Sequence, residues 1–169
     1  MSKELFAPYN NKTPEFSLFG TSTYARVTSV HDGDTLTCII PIFNQFFKFT
    51  TRLNGIDTCE ITSDNAANKQ LAVKARNRLI DIITHGDSKN MLLDGRKFVC
   101  DLFDKDIYLI WLECGSFDKY GRLLVTAKLH QEDPKSFSQI LIDEHLAYKY
   151  DGGKKLSEEE QINLLCVAS

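Results

Sequence analysis

The sequence predicts a small α+β protein: a five-stranded antiparallel β-barrel with about three helices packed around it. Three observations lead there. β-branched and aromatic runs bounded by turn residues come first, a long stretch of helical periodicity follows, and two further strand-like runs precede two helix-capping patterns. At 169 residues with 43% hydrophobic content, the chain is long enough for one domain with a sizeable core.

The first 22 residues are polar, and Asn10, Asn11, Pro14 and Gly20 break any period, so they read as a loosely held N-terminal arm before a folded domain over 23–169. TYARVTSV, DTLTCIIPI and FKFTTRLNGI then form three consecutive strands, separated by turn residues at His31 to Gly33 and around Asn44. Leu71, Ala75, Leu79, Ile82 and Ile83 recur at helical spacing and predict an amphipathic helix from about Asp64 to His85, with Gly86 as its stop. The stretch Asp87 to Lys105 reads as an inserted loop or hairpin with Asp94-Gly95 at its turn. DIYLIWLE and RLLVTAKLH are the last two strands; in the first, Trp111 alternates with Leu109 and reads as core. Ser136 with Gln139, and Ser157 with Glu160, are capping-box patterns for a helix to about Ala147 and a short C-terminal helix. This order is compatible with an OB-like barrel, a fold whose strand face and loops bind oligonucleotides.

A net charge of −3 is unlike a protein that coats nucleic acid through clustered Lys and Arg, so any polyanionic substrate must be captured by a local basic site. Five cysteines, odd in number and without CxxC pairing, point to a reducing compartment. The N-terminus has no apolar signal region, and apolar runs fall far short of the roughly 18 residues of a membrane span. A soluble, intracellular protein without a membrane partner is therefore expected.

Three segments carry chemistry. RLNGIDTCE holds Arg52, Asp57, Thr58 and Glu60; FDKYGR holds Lys119, Tyr120 and Arg122; HDGDT holds Asp32 and Asp34. In-line displacement at phosphorus gathers negative charge on oxygens and needs an aligned water, which two guanidinium groups and a carboxylate can supply. A guanidinium offers paired donors to phosphate oxygens that an ammonium cannot match. The acidic oxygens of HDGDT and Asp57 suit a hard cation. Singly, each segment also reads as ordinary structure: a strand-end arginine, a helix start and a hairpin turn.

Together and in this order, HDGDT, RLNGIDTCE and DKYGRLLV resemble the staphylococcal-nuclease (thermonuclease-like) family from about Tyr24 to Tyr150, with LAYKYDGGKK as a weaker echo of its C-terminal tyrosine segment. The resemblance implies an OB-fold barrel with three helices that cleaves DNA and RNA with little sequence preference, using one Ca²⁺ and leaving 3′-phosphate ends. Flexible or single-stranded nucleic acid is the implied partner, and a monomer is expected. By the same resemblance Asp34 and Asp57 hold calcium through carboxylates and Thr58 through its backbone carbonyl, with Asp32 nearby. Arg52 and Arg122 grip the scissile phosphate, and Glu60 orients or deprotonates the attacking water. Lys119 and Tyr120 contact a neighbouring phosphate, and Tyr150 stacks on a base. Cys59 stands where the family has proline, and the 87–105 stretch is longer than the bacterial prototype's. The rival reading is a noncatalytic nucleic-acid-binding module, as in the nuclease-like repeats of Tudor-containing assemblies.

Overall fold

Ser22–Val30, Thr35–Ile42 and Gln45–Leu53 form strands β1, β2 and β3, as their alternating β-branched and aromatic residues predict. The structure, a computed structural model, describes residues 2–88 and 95–166. The two-residue loop between β2 and β3 places Phe43 and Asn44 at φ of 52° and 61°, the paired left-handed geometry whose twist matches flanking antiparallel strands. After the short strand β4 (Ile56–Asp57) come helices α1 (Ala66–Ile83) and α2 (Gly95–Lys105), then strands β5 (Leu109–Phe117) and β6 (Leu123–Lys128). Helix α3 (Phe137–Asp143), strand β7 (Tyr148–Lys149) and helix α4 (Glu158–Cys166) complete the order.

The five long strands close into a barrel in the order β1-β2-β3-β6-β5, with β5 pairing back onto β1. This is the expected OB-like barrel. Four of its pairings are antiparallel and one is parallel: β3 runs alongside β6 with Arg52 opposite Leu124 and Leu53 opposite Val125. The short strand β4, two helices and β5 intervene between these neighbours, so the chain re-enters β6 in the direction it left β3. Ala25, Val27, Leu36, Ile40, Leu53, Ile110, Leu112 and Val125 point inward, and Leu79, Ile80 and Ile83 of α1 join the same core. Trp111 lies on the outer face of β5, edge-on to Tyr24 at 5.1 Å, because Ile110 and Leu112 take the inward positions.

The expected hairpin within 87–105 is corrected to a helix over Gly95–Lys105; Asp94, the first residue of its proposed turn, lies outside the described residues. Val99, Leu102 and Phe103, spaced i, i+3, i+4, are buried, and α2 packs along β1. Arg26 of β1 donates from Nη2 to the Phe103 carbonyl at 3.2 Å, near the end of α2 where helix carbonyls lack intrahelical donors. Helix α3 stops at Asp143, short of Ala147: His145 takes φ 55° and the amide of Leu146 closes onto the Leu141 carbonyl, a left-handed stop made without the usual glycine. At α4 both arms of the expected capping box form, Ser157 N donating to Glu160 Oε2 at 2.7 Å and Glu160 N donating to Ser157 Oγ at 3.3 Å.

Candidate active site

The ladder between β2 and β3 sets Thr35 opposite Arg52, so the arginine ends its strand beside the turn that carries Asp34. Arg52 faces away from the barrel interior, yet it is only 7% exposed, because acidic side chains close over it. Its Nη1 lies 2.9 Å from Asp34 Oδ2 and its Nη2 lies 2.5 Å from Asp57 Oδ1. The bland expectation of a solvated strand-end arginine does not hold here.

Asp57 sits on β4, which pairs with β7 so that Asp57 lies opposite Tyr148. Tyr148 donates its hydroxyl to Asp57 Oδ2 at 2.5 Å, and Lys155 brings Nζ to 3.0 Å from Asp57 Oδ1 and 2.8 Å from Glu60 Oε1. Behind this layer, the amide of Glu60 donates to Asn68 Oδ1, Asn68 Nδ2 donates to Gln161 Oε1, and Gln161 Nε2 donates to the Leu156 carbonyl and Tyr148 hydroxyl. Helices α1 and α4 therefore brace Glu60 and Tyr148 through one amide relay.

Gly33 permits the close approach of the HDGDT turn. A Cβ there would meet Ala75 Cβ at 2.7 Å and Thr58 Cγ2 at 2.9 Å, so Asp32 and Asp34 are held against α1 and the start of the Thr58 loop only because position 33 has no side chain. Cys59, next to Thr58, turns the other way, into an apolar contact with Ala72 and Leu165. Burial, followed by the Asp57 charge, pushes its thiol up to about 11, so it offers no thiolate to a metal.

The parallel pairing of β3 with β6 has a direct consequence: Arg122, one residue before β6, comes to the same end of the barrel as Arg52. Both arginines line a cleft of about 370 Å³ with Lys119, Tyr120, Tyr150 and Gly153. Asp118 Oδ2 holds Arg122 Nε at 2.7 Å, and the Arg122 guanidinium and Lys119 ammonium lie 5.4 and 5.0 Å from the centre of the exposed Tyr120 ring. A larger cleft of about 1020 Å³ lies on the other side of Tyr150, lined by Gln139, Tyr148, Lys154 and Leu164. Only the smaller of these two is lined by both arginines. Asp34, Asp57 and Glu60 do not line it; Lys155 lies against Asp57 and Glu60.

Charge is unevenly balanced across this cluster. Burial pushes the Asp34 carboxyl up to about 6 despite Arg52, and burial followed by the Glu60 charge raises Asp32. Burial also opposes ionisation of Asp57, but donors from Tyr148, Lys155 and Arg52 together hold its carboxyl below the ordinary range. Asp32, Asp34, Asp57 and Glu60 thus face Arg52, Lys155 and, at Asp32, Arg76, with acid still in excess. Carboxylate oxygens together with the Thr58 backbone carbonyl are hard donors, so their chemistry fits a hard divalent cation. As they stand, no three His, Cys, Asp or Glu side chains among the described residues are grouped to hold an ion; Arg52, Lys155 and Tyr148 take the oxygens of Asp57.

No protein-family model matches the chain, and no curated protein matches it. Among the described residues no helix is long and apolar enough to cross a membrane.

Of the arginine cleft, the sequence singles out Arg52, Lys119, Tyr120, Arg122 and Tyr150 but gives no role to Asp118, which holds Arg122. Within LAYKYDGGKK it assigns base stacking to Tyr150 and gives no role to Tyr148 or Lys155. Both tyrosines matter, in different ways: Tyr150 lines the cleft, while Tyr148 is buried on Asp57. The Tyr-x-Tyr spacing was the available signal, but it does not say which ring turns inward. Asn68 and Gln161 left no signal, as buried amides resemble surface ones in a sequence.

Proposed function

We propose that this chain is a thermonuclease-like phosphodiester hydrolase that cuts flexible, single-stranded DNA or RNA, without sugar preference, to 3′-phosphate products. What carries the reading is the presence of Arg52 and Arg122 in one cleft, with the carboxylates of Asp34 and Asp57 on the far side of Arg52. The scissile phosphate lies across the two guanidinium groups, which are fixed in advance by Asp34, Asp57 and Asp118 and so need little reorganisation as charge builds on its oxygens. Glu60, braced by Asn68, takes a proton from a water aligned with the bond to the 5′ oxygen. That bond breaks as the water oxygen bonds to phosphorus, and the 5′ oxygen takes up a proton from solvent. Tyr120 and Tyr150 offer ring faces for the flanking bases. A divalent cation such as Ca²⁺, held by Asp34, Asp57 and the Thr58 carbonyl, would neutralise charge on a phosphate oxygen.

The test is digestion of single-stranded DNA and RNA oligonucleotides with calcium, with chelator, and with Glu60→Gln. Cleavage by the wild type alone in calcium, giving 3′-phosphate ends, is expected. The occupation of Glu60 and Asp57 by Lys155 favours the rival noncatalytic module. RNA binding without cleavage at any calcium concentration would establish that rival and end the nuclease reading.

A further inference from the structure

Lys155 lies against two of the cluster's carboxylates. Its ammonium bridges Asp57 Oδ1 and Glu60 Oε1, at 3.0 and 2.8 Å, and so joins the carboxylate proposed to bind a metal to the one proposed to handle the water. The loop that delivers it is tied at both ends. Tyr150 donates its hydroxyl to the Gly153 carbonyl at 2.8 Å, Gln161 Nε2 donates to the Leu156 carbonyl at 3.0 Å, and Ser157 then opens α4.

The two cations on Asp57 differ in how readily they can leave. Arg52 is buried and held from both sides by Asp34 and Asp57, and moving it would leave the buried Asp34 without a cation. Lys155 is 42% exposed on a flexible four-carbon stem, so its ammonium can swing into water. Asp57 Oδ1 already receives both cations and Oδ2 receives Tyr148, so three of the carboxylate's roughly four lone-pair sites are taken and Oδ1 has none to spare for a metal while Lys155 stays.

Resting on the proposed function, we propose that Lys155 is the resident cation of this site, bridging Asp57 and Glu60 until a divalent cation displaces it. Metal uptake is then an exchange, in which a single charge leaves Asp57 and Glu60 and a double charge comes to Asp57 in its place. Lys155 limits the affinity of the site and frees Glu60 when it departs.

Calcium binding to the full chain, followed by titration calorimetry at constant ionic strength, tests this directly. Lys155→Met keeps the stem and removes the charge, and should bind calcium about tenfold more tightly than the wild type, since a full charge about 3 Å from a ligand oxygen is gone. Lys155→Arg keeps the competing charge and should stay close to the wild type, as should Lys154→Met. Thermal unfolding in chelator checks that each variant is folded. Unchanged or weaker calcium binding by a folded Lys155→Met, with the wild type still cleaving in calcium, overturns the role of Lys155 and leaves the nuclease reading intact. Absence of calcium uptake and of cleavage in both proteins overturns both.

Discussion

Arg52 and Asp57 form an ion pair at 2.5 Å with both side chains sealed from solvent, whereas Arg122, across the same cleft, pairs with Asp118 near the surface. Under the proposed function Arg52 is a structural and a chemical residue at once, and Arg122 mainly a chemical one. Replacing either with alanine should cost about 10²-fold or more in turnover, as losing one preorganised donor to a developing anion does. Stability should separate them. Arg52→Ala leaves the buried Asp34 without its cation and takes one of two cations from Asp57, and should cost about 3–5 kcal/mol, while Arg122→Ala should cost under about 1 kcal/mol. Urea denaturation of the two variants measures the difference; equal losses would show that Arg52 is not the keystone of the acidic cluster.

Gly33 should tolerate no side chain. Gly33→Ala drives a Cβ into Ala75 and Thr58 and should cost about 1–3 kcal/mol by overpacking. The double variant with Ala75→Gly should recover part of that loss, beyond the helix penalty of about 1 kcal/mol that glycine adds at position 75. Strict additivity in the double-mutant cycle would argue against the contact.

Tyr148→Phe removes the donor to Asp57 Oδ2 and leaves a buried carboxylate oxygen short of a partner. The expected loss is about 1–3 kcal/mol, with the fold retained because the ring is kept. A stability change within about 0.5 kcal/mol would mean that water replaces the hydroxyl.

The two buried aspartates should respond to pH with opposite signs. Burial raises the Asp34 carboxyl to about 6 from an ordinary 3.8, so the folded protein takes up its proton more readily than the unfolded chain. Its contribution to stability is full below 3.8 and is lost as pH rises through about 6. For Asp57, Tyr148, Lys155 and Arg52 overcome the effect of burial and hold the carboxyl below 3.8, so its contribution is present above that value and is lost as pH falls through the folded one. In metal-free protein, thermal denaturation from about pH 7 to about pH 4.5 should show the wild type gaining stability relative to Asp34→Asn. A difference that stays flat over that range would place Asp34 in a more solvated setting.

Local patterns carried the strands, the long helix, the capping boxes and the three acidic and basic motifs, because turn chemistry, period and capping act over a few residues and are written directly in the chain. Helix α2 was missed because Asp94-Gly95 is a strong turn signal and the apolar set Val99, Leu102 and Phe103 is short; its packing on β1 decided the matter. What brings Arg52 beside Arg122 is a parallel pairing between strands separated by two helices and two strands, and what brings Lys155 to Glu60 spans 95 positions. Contacts of that range depend on where the chain crosses, which no local period encodes. The sequence by itself therefore determined which residues could grip a phosphate, and only the tertiary structure decided that Arg52 is buried, that Tyr148 rather than Tyr150 touches Asp57, and that a lysine stands among the carboxylates.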